Sequence, residues 1–293
     1  MESAAVLQAT IASLFRDGIT VFNDVPTESQ DPSSCALVPL ANKLGSILRT
    51  WYGDKVFAVR SAAGSKNIAY TNLNLDLHMD LLHYDMPPRW QMLHCVALHP
   101  ELRGGTSYFV DAYKAAEILK QTDRKAYDVL CTEKVGFEYR NDGHWTYAER
   151  PTIELSPDDP NLLVAVNYSP PFQAPLRLHT KADQDTKPKP LDSQSTSAES
   201  PSENDPTDRI LRLHSSLAAF SKILQDPKLR FELQMQKGDC VAFDNRRVLH
   251  ARTAFEVPEK AEGEVRTLLG CYLDETSVKE KFRALGEQIV PDA

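Results

Sequence analysis

Leu75-Asp76-Leu77-His78-Met79-Asp80 sets an imidazole and a carboxylate two residues apart, in a stretch where apolar and polar side chains alternate. Alternation of period two marks a half-buried strand, and residues i and i+2 of a strand project from one face. His78 and Asp80 could therefore bind one ion together. A second imidazole brought in by the fold would complete a 2-His-1-carboxylate triad, which occupies one face of a metal and leaves the opposite positions open. That is the ligand set of non-haem Fe(II) oxygenases. The candidate is His250, in Phe243-Asp244-Asn245-Arg246-Arg247-Val248-Leu249-His250-Ala251-Arg252. Spacing alone has little weight, because His83-Tyr84-Asp85 is a second such triplet. A histidine taken singly is more often a hydrogen-bonded structural imidazole than a ligand.

The elements that must position these residues are legible as short runs. Residues 6–15 carry apolar side chains at helical spacing, Gly18 stops that helix, and residues 19–22 read as a strand. Residues 37–48 form a second helical candidate interrupted by Pro39 and Gly45. Residues 56–59 read as a strand, as do 90–98. A Gly104-Gly105 turn then leads to a strand at 107–110. Asp111 suits the N-cap of one helix over 112–130. Short strands are expected at 135–139, 145–148 and 162–168, and a helix at 209–224. Residues 229–235 alternate cleanly, Lys237-Gly238-Asp239 reads as a turn, and residues 240–243 read as the returning partner of a hairpin. A strand over 265–273 and a helix over 277–285 close the chain. Many short strands with a few flanking helices predict a mostly β fold, a double-sheet jelly roll with helical cover. Residues 181–208 are rich in Asp, Ser, Pro, Lys and Thr with almost no apolar side chain. They read as a mobile insertion in a single domain spanning 1–293, because nothing in them offsets the entropy of ordering.

The 293 residues are 42% hydrophobic and carry a net charge of −8 with no long Lys/Arg run, which disfavours nucleic acid and anionic membranes as partners. No stretch approaches the roughly 20 apolar residues of a membrane span. The first residues show neither a basic segment nor a long apolar run, so no secretory leader is expected. Cys35, Cys95, Cys131, Cys240 and Cys271 are odd in number and lack C-x-x-C spacing. They read as reduced thiols, and the expected location is cytoplasmic.

Beyond single residues, the chain carries His78-x-Asp80, Pro87-Pro88, Gly104-Gly105, the string Phe243-Asp244-Asn245-x-Arg247-x-Leu249-His250-x-Arg252, and Arg266-x-x-x-Gly270-x-Tyr272. Together with Asn67-Ile68-Ala69-Tyr70, Leu93-His94-Cys95 and Val110-Asp111, these closely resemble the γ-butyrobetaine, trimethyllysine and taurine dioxygenase family over about residues 15–274. The resemblance implies a double-stranded β-helix, with Fe(II), the cosubstrate 2-oxoglutarate and O2 used to oxidise an unactivated C–H bond. By position it makes His78, Asp80 and His250 iron ligands. His78, unlike His83, stands at the family's distance from the Pro-Pro pair. Arg266 would hold the far carboxylate of 2-oxoglutarate, for which the planar guanidinium fork is suited. Ser107 matches an assisting hydroxyl in the taurine enzyme.

The same resemblance implies a substrate pocket. Tyr70 and Tyr272 match two rings of an aromatic cage for a quaternary ammonium, whose attraction lies in the ring faces. Phe57 falls where the family has Trp, Tyr52 matches a fourth ring after a one-residue gap, and Asn67 matches a residue that binds the substrate carboxylate. Residues 181–208 replace a segment that helps close the family's active site. The family's betaine and trimethyllysine members also carry an N-terminal zinc-binding domain outside the matched stretch. The expected substrate is thus a small amine, amino-acid-like or betaine-like molecule. Hydroxylation, desaturation and ring closure stay open, and γ-butyrobetaine or trimethyllysine hydroxylation is the alternative. A non-catalytic jelly-roll ligand-binding module is the reading from another class. A monomer and a homodimer are equally compatible with the sequence.

Overall fold

The computed structural model describes residues 3–60, 71–141, 143–176, 205–256 and 265–289. In chain order its strands are β1 (Ile19–Phe22), β2 (Ile47–Leu48), β3 (Phe57–Arg60), β4 (Leu75–His78), β5 (Trp90–Leu98), β6 (Arg103–Gly104), β7 (Ser107–Asp111) and β8 (Lys134–Asn141). They continue with β9 (His144–Pro151), β10 (Ile153–Leu155), β11 (Leu163–Val166), β12 (Arg230–Leu233), β13 (Cys240–Asp244), β14 (Val248–Arg252), β15 (Phe255–Glu256) and β16 (Arg266–Leu273). The helices are α1 (Ala4–Asp17), α2 (Leu37–Leu44), α3 (Ala112–Thr122), α4 (Arg124–Thr132), α5 (Pro206–Leu224) and α6 (Glu275–Ile289).

Two antiparallel sheets face each other. The six-stranded sheet runs β1-β13-β5-β16-β2, with β3 also paired to β16, and the four-stranded sheet runs β12-β7-β14-β4. Cys95, Val241, Phe243 and Leu268 from one sheet meet Phe109 and Val248 from the other between them. Outside the six-stranded sheet, Ile11 and Leu14 of α1, Leu37, Ala41 and Leu44 of α2, and Val278 and Leu285 of α6 cover Trp90, Met92 and Cys271. Outside the four-stranded sheet, α3, α4 and α5 cover Leu77, Tyr108, Val110 and Leu249 through Ala116, Leu119, Leu130, Leu213 and Phe220. Each fully buried Leu or Phe side chain contributes about 1.5–3 kcal/mol, so the sandwich is held from both outer faces as well as from within. This is the expected jelly roll with helical cover. Among the described residues no helix is long and apolar enough to cross a membrane. All five cysteines are free thiols.

Local chemistry explains where expectation and structure differ. The single helix expected over 112–130 is two helices, because the side chain of Asp123 accepts a hydrogen bond from the N–H of Ala126 and starts a new helix there. Asp111 caps the first as expected, accepting from Tyr113 and Lys114. The helix expected from residue 209 already begins at Pro206, capped by Asp205, so the end of the 181–208 stretch is helical. The rest of that stretch, up to residue 204, lies outside the described residues. The helix expected over 37–48 stops at Leu44, and its last two residues are β2.

The expected hairpin between 229–235 and 240–243 does not form. β12 pairs with β7, while β13 pairs with β5 and β1. The chain crosses from one sheet to the other at Gly238, whose φ of 98° and N–H bond to the Cys95 carbonyl fix the turn. Period-two alternation tells which face of a strand is buried and leaves its partner open.

Candidate metal and cosubstrate site

β4 ends at His78, two residues short of Asp80, so the alternation that suggested a strand through Asp80 overshoots. The chain bends there, and Leu81 takes a φ of 60°, a left-handed conformation that a leucine rarely adopts. Asn245 holds the bend. Its Oδ1 accepts the N–H of Asp80 at 2.8 Å, and its Nδ2 donates to the carbonyls of Asp80 and Pro88 at 3.0 Å each. Asp80 is thereby turned back towards His78. From the other side, β14 pairs with β4 so that His250 lies directly opposite His78, with ring centroids 4.2 Å apart. Asp80 Oδ1 comes to rest 3.3 Å from His78 Nε2 and 3.9 Å from His250 Nε2. One ligand atom from each of the three side chains falls within 4.8 Å of the others, the sole such group of three or more among the described residues.

The turn between β13 and β14 that delivers His250 is built by its own motif. Asp244 accepts from the N–H of Arg246 at 2.8 Å and from Arg89 at 2.9 Å, Arg246 pairs with Glu154 at 2.9 Å, and Arg247 pairs with Asp111 at 2.7 Å. His78 is oriented locally, since its Nδ1 lies 2.8 Å from the carbonyl of Asp76. A carbonyl only accepts, so Nδ1 carries a proton, and Nε2 is the nitrogen that faces Asp80.

Burial alone would raise the Asp80 carboxyl, but the two neighbouring imidazoles and hydrogen bonds from His78 and Tyr272 carry it well below the carboxylate range. Burial, with His78 alongside, pushes the His250 imidazole down to about 3. An ionised carboxylate beside a neutral imidazole is the protonation state that divalent-metal ligation requires.

A cavity opens beside the three ligand atoms, walled by Phe57, Leu75, Phe109 and Leu268 and bearing Gln91, Ser107, Arg252 and Arg266. Arg266 opens β16 and is 5% exposed, yet among the described residues no carboxylate pairs with it. Burial lowers its basicity. Ser107 and Arg266, expected near the cosubstrate, thus line the same cavity as the triad. Arg252 and Gln91 line it too and carried no role in the sequence reading. Arg252 lies opposite Ser107 in register, and its Nη2 donates to the carbonyls of Thr71 and Leu73 at 2.7 Å each. Its sequence signal was its distance of two residues from His250.

Of the expected cage, Phe57 and Tyr272 are stacked on each other at 5.2 Å, and the Tyr52 ring meets Phe57 edge-on at 5.6 Å. Phe57 lies so close over Gly270 that a Cβ there would fall 2.3 Å from the ring, which accounts for a glycine at that position of β16. Asn67 and Tyr70 lie outside the described residues. His83, the rival of His78, is buried with its Nδ1 2.7 Å from Thr146 Oγ1 and its ring against Tyr139, apart from the group of three. Burial pushes it down to about 4.

Residues 2–272 match the family described as taurine catabolism dioxygenase TauD, TfdA family. The chain belongs to this family. Among curated relatives, the dioxygenase str8 of Strobilurus tenacellus is 39% identical over 284 residues, covering 95% of this chain and 59% of that protein. The γ-butyrobetaine dioxygenase of Pseudomonas sp. strain AK-1 is 32% identical over 270 residues, covering 92% and 59% respectively. The chain thus spans about three-fifths of the length of these relatives. Among solved structures, an asparagine oxygenase in complex with Fe(II), 3-hydroxyasparagine and succinate superposes with a TM-score of 0.61 at 16% identity, covering 92% of this chain and 79% of that one.

TauD-type oxygenases use Fe(II), 2-oxoglutarate and O2, and the residues present here fit that set. Two imidazoles and a carboxylate on one side of a cavity suit Fe(II) with open positions. His250 Nδ1 is buried with no hydrogen-bond partner among the described residues, an orphaned polar atom beside the group of three. Arg266 offers the cavity a guanidinium without a carboxylate of its own.

Proposed function

We propose that this TauD/TfdA-family chain is an Fe(II)- and 2-oxoglutarate-dependent oxygenase acting on a small amine or amino-acid-like molecule. The observation that carries the reading is the convergence of His78, Asp80 and His250 beside a cavity whose buried Arg266 has no carboxylate partner among the described residues. In this reading His78, Asp80 and His250 hold the iron, and Arg266 with Ser107 binds the far carboxylate of 2-oxoglutarate. The bound iron and cosubstrate supply, with O2, the oxidising power to break an unactivated C–H bond.

The chain's own residues orient and enclose. The Asp76 carbonyl orients the His78 ring, and the Asn245 clamp fixes the bend that aims Asp80. The apolar walls at Phe57, Leu75, Phe109 and Leu268 keep water from the reacting face, which strengthens the electrostatic contacts inside it. The small-amine substrate class is supported by the relative named as a γ-butyrobetaine dioxygenase and by the fold shared with an asparagine oxygenase. Between a methylated and an unmethylated amine, the burial of Tyr272, 2% exposed and stacked on Phe57, favours the second, since it leaves little of that ring's face for a cation.

Anaerobic titration tests this. Adding 2-oxoglutarate to the Fe(II)-loaded protein should raise a visible charge-transfer band that saturates at one equivalent and is lost in Asp80→Ala. A featureless titration would overturn the assignment. Succinate release with matched methylated and unmethylated amines then reads the substrate class.

A further inference from the structure

Asp80 has two carboxylate oxygens, and the structure treats them differently. Oδ1 faces the two imidazoles at 3.3 and 3.9 Å. Oδ2 accepts a hydrogen bond from Gln91 Nε2 at 2.7 Å and another from the Tyr272 hydroxyl at 2.9 Å. Behind Tyr272, the Tyr52 hydroxyl donates to the Tyr272 oxygen at 3.0 Å, which aims the Tyr272 proton at Asp80. The orientation of the Gln91 amide follows from chemistry, because an ionised carboxylate can only accept and the NH2 end must face it.

The register of the sheet explains how two donors reach one oxygen. Gln91 on β5 and Tyr272 on β16 are directly opposite residues of neighbouring strands. Such cross-strand partners project side by side from one face, with Cβ atoms about 5 Å apart. Both belong to the six-stranded sheet, whereas His78 and His250 belong to the four-stranded one. The two donors are also buried, at 1% and 2% exposure, so neither is exchanging with bulk water.

We propose that Gln91 and Tyr272 are positioning residues that engage Oδ2 of Asp80 and leave Oδ1 alone to bind the metal. They would hold the carboxylate in a one-oxygen mode and tie metal affinity to the closure of the two sheets. This inference rests on the reading of His78, Asp80 and His250 as the metal ligands, and it gives Tyr272 a task other than a cation cage. Its hydroxyl is committed to Asp80 and its ring to Phe57. A cage residue would act through the ring alone, and a positioning residue acts through the oxygen.

Tyr272→Phe separates the two, since it keeps the ring and its stacking and removes the oxygen. The test measures Co(II) affinity of the anaerobic, substrate-free protein, with the visible Co(II) spectrum as a report on the coordination mode. The proteins compared are the unmutated chain, Tyr272→Phe, Gln91→Leu, Gln91→Glu and Asp80→Ala, each with its metal-free melting curve. Partners of metal ligands typically set about 10- to 100-fold of affinity. Tyr272→Phe and Gln91→Leu should each weaken Co(II) binding by about ten-fold or more and alter its spectrum. The metal-free melting temperature of Tyr272→Phe should stay within a few degrees of the unmutated chain. Gln91→Glu, which sets a carboxylate against a carboxylate, should not restore binding. Loss of Co(II) in Asp80→Ala alone, with Tyr272→Phe and Gln91→Leu binding as the unmutated chain does, overturns the proposal and leaves the ligand reading intact. Unchanged binding in Asp80→Ala overturns both.

Discussion

Replacing Asn245 by alanine should cost more stability than its polarity suggests. The side chain is fully buried and makes three hydrogen bonds, all to backbone: one from the Asp80 N–H and two to the carbonyls of Asp80 and Pro88. Alanine removes both ends of the amide and leaves three buried backbone groups without partners. Each such group costs about 1–3 kcal/mol. The arithmetic sum, about 3–9 kcal/mol, is an upper range, because water can enter the space the amide vacates and satisfy part of the loss. An effect of about 3–4 kcal/mol is expected, a large share of the 5–15 kcal/mol that holds a typical domain together. Urea unfolding of the metal-free protein reads it as a lower midpoint with an unchanged slope. Asn245→Asp should do no better, since the retained oxygen still serves the Asp80 N–H while the second oxygen faces two carbonyls. A loss below about 1 kcal/mol would refute the clamp, because even one uncompensated buried group costs that much.

Three further outcomes follow from the same geometry. Gly104→Ala should destabilise strongly, since Gly104 has a φ of 83° and a Cβ would sit 2.3 Å from the Ala254 carbonyl oxygen; an unchanged melting temperature would contradict that turn. His83 is 3% exposed and pushed down to about 4 from 6.5 by burial, so between those values the unfolded chain takes up a proton that the folded chain refuses. The His83 share of stability should therefore fall by about 2–3 kcal/mol as pH drops from 7.5 to 4.5, and His83→Phe should remove that part of the slope in a denaturation series. Arg266→Lys should raise the 2-oxoglutarate concentration needed for half-maximal turnover at least ten-fold by losing a two-pronged contact, as saturation kinetics would show; equal requirements would remove Arg266 from the cosubstrate.

The fold was readable where sequence carries local signals. Alternation marked β4, a long apolar run marked β5, the Gly104-Gly105 turn announced β7, Asp111 its helix, and Gly18 a helix stop, because each of these is decided within a few residues. The failures share a cause: which strand pairs with which is set by chain packing over long distances. Residues 229–235 alternate as well as any strand here, yet their partner is β7 and not the adjacent β13. The group of three was legible from motif order, and its geometry was not. Asp80 reaches His78 through a bend past the strand end, which the buried Asn245 holds from 165 positions away. Gln91 was invisible for the same reason, since a glutamine in an apolar strand gains its meaning from the residue paired opposite, Tyr272. Ser107, Phe57 and Arg266 came to the same cavity because their strands converge there.

The most direct measurement of the central claim is O2-dependent conversion of 2-oxoglutarate to succinate by the Fe(II)-loaded protein, with amines and amino acids added in turn. The account predicts succinate that requires Fe(II) and O2, rises with one class of small amine, is abolished in His78→Ala, Asp80→Ala and His250→Ala, and persists in His83→Ala. Succinate formation that survives Asp80→Ala, or its absence from the unmutated Fe(II)-loaded protein across the panel, would contradict it.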